Sequence, residues 1–399
     1  MSFEGLMKYW LSRRMSLPDV CDHPNKPIVS PRKIIIATRK FHVATGSVQP
    51  LQSFICLPVA IVYCILTAVS RKLFGRNSCR QGKFVLRKIV FGTTALLAMS
   101  LAHGQMDSTT RWATIAEYEF PLSTNIVYQR ANNVTLHLDI ITAGPPSVSR
   151  PTLIYFHGGG WVEGLKDAAL LYMLPYLARG MDTVNVEYRM GPESLAPAAI
   201  EDTRCALHWV YDHASEYGFD TSKLVVSGHS AGGHLALMTG LLTPADGFDY
   251  GCTHLTADWR KGTTQEVRVA AIINFFGPAD LPELLEGPNA RNYAIRWFGD
   301  QPDRMDLAKR SSPLTYIRSG LPPILTIMGD KDFIVPYSQG VRLHEALDRA
   351  GVPNQLLTIA GGGHGSTPPF AWTREQNLKA QEAVFSFLEK YGILPRGNP

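Results

Sequence analysis

The stretch that most constrains this chain is Leu224 to Leu235, LVVSGHSAGGHL. An apolar run ends in a turn containing three glycines around one serine, and an apparent helix starts at once. The pattern predicts a strand, a sharp turn and a helix, with Gly228-His229-Ser230-Ala231-Gly232 forming G-x-S-x-G. A serine on such a turn has strained backbone angles and crowded neighbours, and residues without Cβ two places before and after it relieve the crowding. The five-residue pattern alone is weak, because glycine and serine are common. Its placement between strand and helix distinguishes it from a turn with a simple N-capping serine.

A serine hydroxyl at neutral pH is a poor nucleophile and needs a base beside it. Of the histidines beyond Ser230, His234 lies one helical turn on and His344 falls within a helical pattern, so both read as structural. His364, in IAGGGHGST, follows a strand and is flanked by glycines that allow close backbone approach. It is the expected base. The base needs an acceptor to fix its tautomer and stabilise the imidazolium. In ILTIMGDKDFIVP, Asp332 is assigned that role and Asp330 is read as the turn former. The order Ser230, Asp332, His364 is the one expected where a nucleophile elbow tops an α/β sheet.

FHGGGW, residues 156–161, also stands at a strand end. Carbonyl attack develops negative charge on oxygen, and main-chain N–H groups must already point there. Gly159 and Gly160, with Ala231 after the nucleophile, are the expected oxyanion donors. A phosphate cradle would want a helix directly after the glycines and a Lys-Ser/Thr pair, and neither is present. His157 is expected to brace the glycine loop. Glu187, Tyr188 and Arg189 are expected to tie loops together. Trp161, Phe333 and Val335 are assigned to the wall of the acyl pocket, and Trp209, Tyr211 and Tyr217 to the core.

Beyond residue 113 short apolar strands alternate with helical segments. Strands are expected over 125–130, 134–142, 152–156, 182–188, 223–228, 269–277, 323–329 and 355–361. Helices are expected near 167–179, 197–216, from Ala231, near 338–350 and near 373–391. That alternation predicts an eight-stranded, mostly parallel sheet with helices on both faces. Chemistry then gathers at the carboxyl ends of the strands. Two irregular segments, 243–266 and 279–321, are expected to lie over the site as a small cap.

HGGGW, EYRMGPE followed by APAAIED, GHSAGG, GDKDFIVP and GGGHG occur in the order seen in α/β-hydrolases. Over about residues 120–392 the chain resembles the esterase/lipase and feruloyl-esterase-like branch, akin to the hormone-sensitive-lipase group. The resemblance implies hydrolysis of small or aryl carboxylic esters through an acyl-enzyme, without metal or organic cofactor. The hormone-sensitive-lipase pattern has Asp where this chain has His229, and a longer N-terminal cap. HGGGW is also similar to the H-G-G-x-W motif of kynurenine formamidases, which leaves amidase or peptidase chemistry open. A catalytically silent binding protein on the same fold is the alternative from another class.

The net charge of +5 does not argue for a nucleic-acid partner. Residues 1–104 hold 15 Lys and Arg against 3 Asp and Glu, whereas the remainder holds 24 against 31. The basic balance belongs to the leader. Within it, Lys83, Arg87 and Lys88 precede an apolar run from Ile89 to Ala102, and Ala102-His103-Gly104 presents small residues before Gln105. Residues 85–104 therefore read as a signal peptide. Residues 1–84 are then either a non-native extension ahead of a start at Val85 or Leu86, or a membrane-anchored leader using the apolar run 54–69. The catalytic domain is expected over 105–399, exported, with membrane contact confined to any retained leader. Of six cysteines, Cys205 and Cys252 lie beyond the leader. They lack metal-ligand spacing, and two buried free thiols are favoured over a bridge.

Overall fold

The computed structural model describes residues 119–252 and 267–396. These residues belong to a compact unit spanning 108–399, and the leader assignments on residues 1–104 lie outside them. β1 (Leu122–Ala131) and β2 (Val134–Ile141) pair as an antiparallel hairpin. Asn132 and Asn133 turn it with φ of 49° and 62°, left-handed angles that asparagine tolerates in two-residue hairpin loops.

The other strands are β3 (Arg150–Phe156), β4 (Asp182–Val186), β5 (Phe219–His229), β6 (Ala271–Phe275), β7 (Ile324–Gly329) and β8 (Asn354–Ile359). They form one eight-stranded sheet in the order β1-β2-β4-β3-β5-β6-β7-β8. β2 runs antiparallel to β4, and the contacts from β4 through β8 are parallel. The chain leaves β3 for β4 on one side and reaches β5 on the other. The carboxyl ends of β3 and β5 therefore frame the crevice of a topological switch point.

Helices α1 (Leu170–Leu177), α2 (Ala198–Asp212), α3 (Ala214–Tyr217), α4 (Ala231–Leu241), α5 (Asn292–Phe298), α6 (Arg304–Arg310), α7 (Tyr337–Arg349) and α8 (Arg374–Lys390) complete the described fold. Strand side chains alternate between faces. Ile154, Phe156, Val226 and Ile272 pack in one core with α2 and α4. Leu153, Tyr155, Val225 and Ile273 pack in the other with α1 and α8. Both faces of the sheet are covered, as the unbroken apolar strands require.

Several expectations shift. The helix expected over 197–216 breaks at His213 (φ −105°, ψ 10°) into α2 and α3. β5 starts at Phe219, four residues before the expected strand, because Phe219 pairs with Arg150 of β3; Asp220 to Lys223 then bulge, and regular pairing resumes where Leu224 meets Thr152. Between β6 and β7 the chain leaves the sheet as α5, α6 and short 3-10 turns, which bring Tyr293 onto the site. The described part of the other irregular segment, 243–252, instead docks on α2; residues 253–266 lie outside the described residues.

The cysteine expectation is corrected. Cys205 and Cys252 form a disulfide, with Cα atoms 5.2 Å apart across 47 residues of sequence. Arg204, beside Cys205 on α2, grips Asp249 through Nε–Oδ1 (2.7 Å) and Nη2–Oδ2 (2.6 Å). That pair seats the Cys252 segment against the helix, a proximity that cysteine spacing does not encode.

Candidate active site

The turn after β5 has the geometry its glycines foretold. Ser230 sits at φ 56° and ψ −120°, a left-handed angle rarely taken by a residue with a side chain. Its N–H donates to Phe275 O (2.9 Å) and its carbonyl accepts from His234 N–H (3.0 Å), which pins the strained conformation. A Cβ on Gly228 would lie 2.4 Å from Phe156 O, and one on Gly232 2.0 Å from the same atom. Neither position admits alanine, because the obstruction is backbone of β3.

The glycine loop after β3 packs against this elbow. Gly158 is close enough that an added Cβ would meet His229 O at 3.0 Å. Gly159 and Gly160 have φ of 120° and 59°, and their N–H groups have no acceptor among the described residues. Ala231 opens α4, so its N–H is one of the orphaned donors at a helix N-terminus. His157 braces the loop, as expected: it stacks on Tyr188 at 4.3 Å, and the Tyr188 hydroxyl donates to His157 O (2.9 Å). Arg189 pairs with Asp202 and Glu201, which ties the following loop to α2.

Asp332, the expected orienting carboxylate, follows β7, and His364, the expected base, follows β8. His364 Nδ1 lies 2.7 Å from Asp332 Oδ2, and both side chains are buried. The other oxygen, Oδ1, accepts the N–H groups of Ile334 (2.8 Å) and Val335 (2.9 Å). These bonds hold the carboxylate in the orientation that leaves the imidazole Nε2 free. Asp330 is the turn former, accepting Gly361 N–H at 2.7 Å. His234 and His344 are structural: His234 bridges the Trp161 indole and Ser311 O, and His344 bonds Asn354.

Ser230 and His364 open onto one cavity of about 450 Å³, whose wall also includes Gly159 and Gly160. The three residues assigned to the acyl pocket do not line it, and that assignment is corrected. Trp161 is fully buried, stacked on Trp297 at 4.3 Å. Val335 packs in the core between sheet and α8. Phe333 projects outward, 47% exposed. The Asp332 loop turns Ile334 into the cavity instead, as Oδ1 captures the N–H groups of Ile334 and Val335.

Sequence reasoning missed most of the wall. Tyr155, Tyr172 and His229 form one aromatic group: the Tyr155 hydroxyl and His229 Nδ1 share a hydrogen bond, and Tyr172 lies over the His229 ring at 4.3 Å. Phe275 stacks on its other face at 4.3 Å. Burial, together with the nearby His364, pushes the His229 imidazole down to about 3. It therefore stays neutral beside the elbow. Phe276 leans on the His364 ring at 4.4 Å, and Tyr293 covers Gly160. Phe275 and Phe276 end a strand at the crevice, which was a readable signal. Tyr293 belongs to the segment 279–321 that was expected over the site, but that segment has no pattern to single out the residue.

A family model described as BD-FAE matches residues 138–347. The chain belongs to the BD-FAE family. The BD-FAE match contains the glycine loop, Ser230 and Asp332, and stops before His364. The probable carboxylic ester hydrolase LipM of Mycobacterium tuberculosis is 31% identical over 220 residues, covering 53% of this chain and 48% of LipM. Lipase 2 of Moraxella sp. is 28% identical over 344 residues, covering 75% of this chain and 74% of its own. This chain thus spans about half the length of LipM and three quarters of Lipase 2. Thermogutta terrifontis esterase 2, in its butyrate-bound structure, aligns with a TM-score of 0.57 at 26% identity, covering 70% of this chain and 97% of that one. The same esterase has been solved phosphorylated by paraoxon. The eight-stranded sheet and these neighbours make this BD-FAE member an α/β-hydrolase.

Proposed function

We propose that this protein hydrolyses small carboxylic esters through an acyl-enzyme on Ser230. The observation that carries the reading is the Asp332–His364 hydrogen bond opening onto the same cavity as the strained serine. In the first half-reaction His364 Nε2 takes the Ser230 hydroxyl proton as Oγ attacks the ester carbonyl. The N–H groups of Gly159, Gly160 and Ala231 stabilise the oxyanion, and His364 returns the proton to the departing alcohol. In the second half-reaction His364 deprotonates a water that attacks the acyl carbon. The carboxylic acid leaves, and the proton returns to Ser230. Asp332 keeps Nδ1 protonated throughout and stabilises the imidazolium without accepting its proton. LipM and Lipase 2, named as an ester hydrolase and a lipase, support the reaction class. A cavity of about 450 Å³ is near the small end of the range for ligand sites, about 300–1,000 Å³, which supports small esters.

The test is covalent. A fluorophosphonate probe is expected to label the purified protein at Ser230, located by peptide mass spectrometry, and to stop turnover of p-nitrophenyl butyrate. Labelling elsewhere, or continued turnover after full labelling, would end this reading.

We also infer that the protein is exported. The charged-then-apolar pattern of residues 83–105 supports this, as does the Cys205–Cys252 bridge, since such bridges persist in oxidising compartments. Protein recovered from the periplasm or medium of its host is expected to begin at Gln105. Recovery solely from the cytoplasm, with both thiols free to alkylation, would contradict it.

A further inference from the structure

A second imidazole opens onto the cavity and has no task in the hydrolysis proposed above. His229, immediately before Ser230, lines the cavity and is half-buried. Tyr172 covers one face of its ring and Phe275 the other, each with centroids 4.3 Å away. Nδ1 is taken by the Tyr155 hydroxyl. With both faces and one nitrogen occupied, the ring presents to the cavity the edge that carries Nε2. That atom makes no hydrogen bond to a described residue, and it is not fully enclosed. Phe276 stands beside the ring at 5.3 Å, tilted by 63°, and its side chain offers no oxygen or nitrogen acceptor.

Tyr155 decides which nitrogen of the ring carries the proton. It is 1% exposed, and its hydroxyl has no other hydrogen-bond partner among the described residues. Were Nδ1 protonated, the phenol proton would have no acceptor, and buried donors are rarely left in that state. The hydroxyl therefore donates to Nδ1, and the neutral ring holds its proton on Nε2. The result is an uncharged donor at the cavity wall, one residue from the nucleophile. Glu163 is the only wall residue with a formal charge at neutral pH among the described residues, and it is acidic. An anionic acceptor would be repelled by it, so the matching ligand group is an uncharged oxygen.

The position of the donor points to one limb of the substrate. The rings of His229 and His364 both stand against Phe276, at centroid distances of 5.3 and 4.4 Å. In the proposed hydrolysis the departing alkoxy oxygen takes its proton from His364 Nε2. The limb that begins at His364 and passes Phe276 to reach His229 is then the alcohol limb.

We propose that His229 is a specificity residue of this site, whose Nε2–H donates a hydrogen bond to an uncharged ether, hydroxyl or carbonyl oxygen on the alcohol limb of the ester. The contact rests on the ester-hydrolase reading for its substrate class. It favours oxygen-bearing alcohols over hydrocarbon ones, because a plain chain displaces water from the donor and offers nothing in return.

Esters that differ by a single atom test it. Butyl, pentyl and hexyl butyrate are each paired with the ester in which an ether oxygen replaces the methylene next to the terminal methyl of the alcohol chain. In at least one pair the ether ester is expected to have a kcat/KM about tenfold above that of its plain partner. His229→Phe keeps a ring between Tyr172 and Phe275 but has no donor, and should lower that ratio about tenfold. A purely structural effect would move both esters by the same factor, and comparison across variants cancels the oxygen's own influence on reactivity. The same replacement in the acyl chain of ethyl esters should give a ratio that His229→Phe leaves unchanged. Imidazole nitrogen NMR of the wild-type protein should show Nε2 protonated and Nδ1 bare. Calorimetry on the Ser230→Ala protein reads the contact without turnover: the preferred ether ester should bind about tenfold more tightly than its partner, and no more tightly in the Ser230→Ala, His229→Phe double variant. Among esters that are turned over, the absence of any preference, or one that survives His229→Phe, overturns the proposal. So does a His229-dependent preference confined to the acyl chain, or a proton on Nδ1. A binding preference in the Ser230→Ala protein, with no ester turned over by the wild type, would remove the hydrolytic reading and leave the His229 contact standing.

Discussion

Ser230→Ala lowers kcat for p-nitrophenyl butyrate by about a million-fold, His364→Ala by a similar factor, and the double variant by no more than either alone. The expectation follows from how the groups depend on one another. Without the imidazole the serine hydroxyl keeps its proton, and without the hydroxyl the imidazole has no nucleophile to activate. Residual rate over the uncatalysed reaction should persist in all three variants, because Gly159, Gly160 and Ala231 still present their N–H groups. Asp332→Asn tests the third member in a different way. Its Oδ1 can go on accepting the Ile334 and Val335 N–H groups, so the loop should hold. The other atom facing His364 Nδ1 becomes a donor, which drives the ring to the wrong tautomer and lowers kcat by about ten-thousand-fold. Steady-state kinetics read these effects, with circular dichroism to confirm folding. Near-normal rates in any of the three single variants would remove that residue from the mechanism, and multiplicative losses in the double variant would mean that Ser230 and His364 do not act as a unit.

Asp249→Asn lowers the free energy of unfolding by about 3–5 kcal/mol in chemical denaturation, although residue 249 touches nothing in the active site. Arg204 is 1% exposed and Asp249 equally buried. The guanidinium also donates to Thr239 O (2.9 Å) and Leu242 O (3.2 Å), so it is held in place with nowhere to escape to water. His208 Nε2 adds a third contact to the carboxylate at 3.0 Å. Neutralising Asp249 leaves a buried cation whose charge nothing offsets. Burial alone would raise the Asp249 carboxyl, but hydrogen bonds from Arg204 and His208 hold it well below the usual carboxylate range. A carboxyl depressed on folding stabilises the protein above its unfolded pKa, near 4, and loses that contribution as pH falls through the lower folded value. Wild-type stability should therefore fall below about pH 4 with a component that Asp249→Asn lacks. An unchanged denaturation midpoint in the variant would show that the pair contributes little, and parallel acid profiles would refute the linkage.

The two groups of residues also differ in how visible they were from sequence. Ser230, Asp332 and His364 were legible because each sits at a strand end in a local pattern that has few other uses. The glycines around Ser230 answer to short-range crowding against β3, and a local pattern can carry that requirement. Asp249 and Arg204 are 45 residues apart and belong to no motif. Their pairing, and with it the Cys205–Cys252 bridge that was expected as free thiols, comes from one segment docking onto α2. The pocket wall failed for a related reason. Trp161, Phe333 and Val335 are neighbours of site residues along the chain, and adjacency in sequence does not fix the direction of a side chain. Trp161 turns under the glycine loop onto Trp297, whereas Ile334 enters the cavity.

The sequence by itself determined the sheet, its mostly parallel sense, the serine elbow, and the places of Asp332 and His364 just past the ends of β7 and β8. Strand periodicity, turn chemistry and backbone crowding are local, and local requirements are written in local residues. Tertiary structure alone decided what the cavity is made of: Tyr172 and Tyr176 from α1, Tyr293 from the excursion after β6, and Gln381 from α8. These side chains meet because helices far apart in sequence pack on one face of the sheet. Packing is a property of summed surfaces, and no single stretch of residues encodes it.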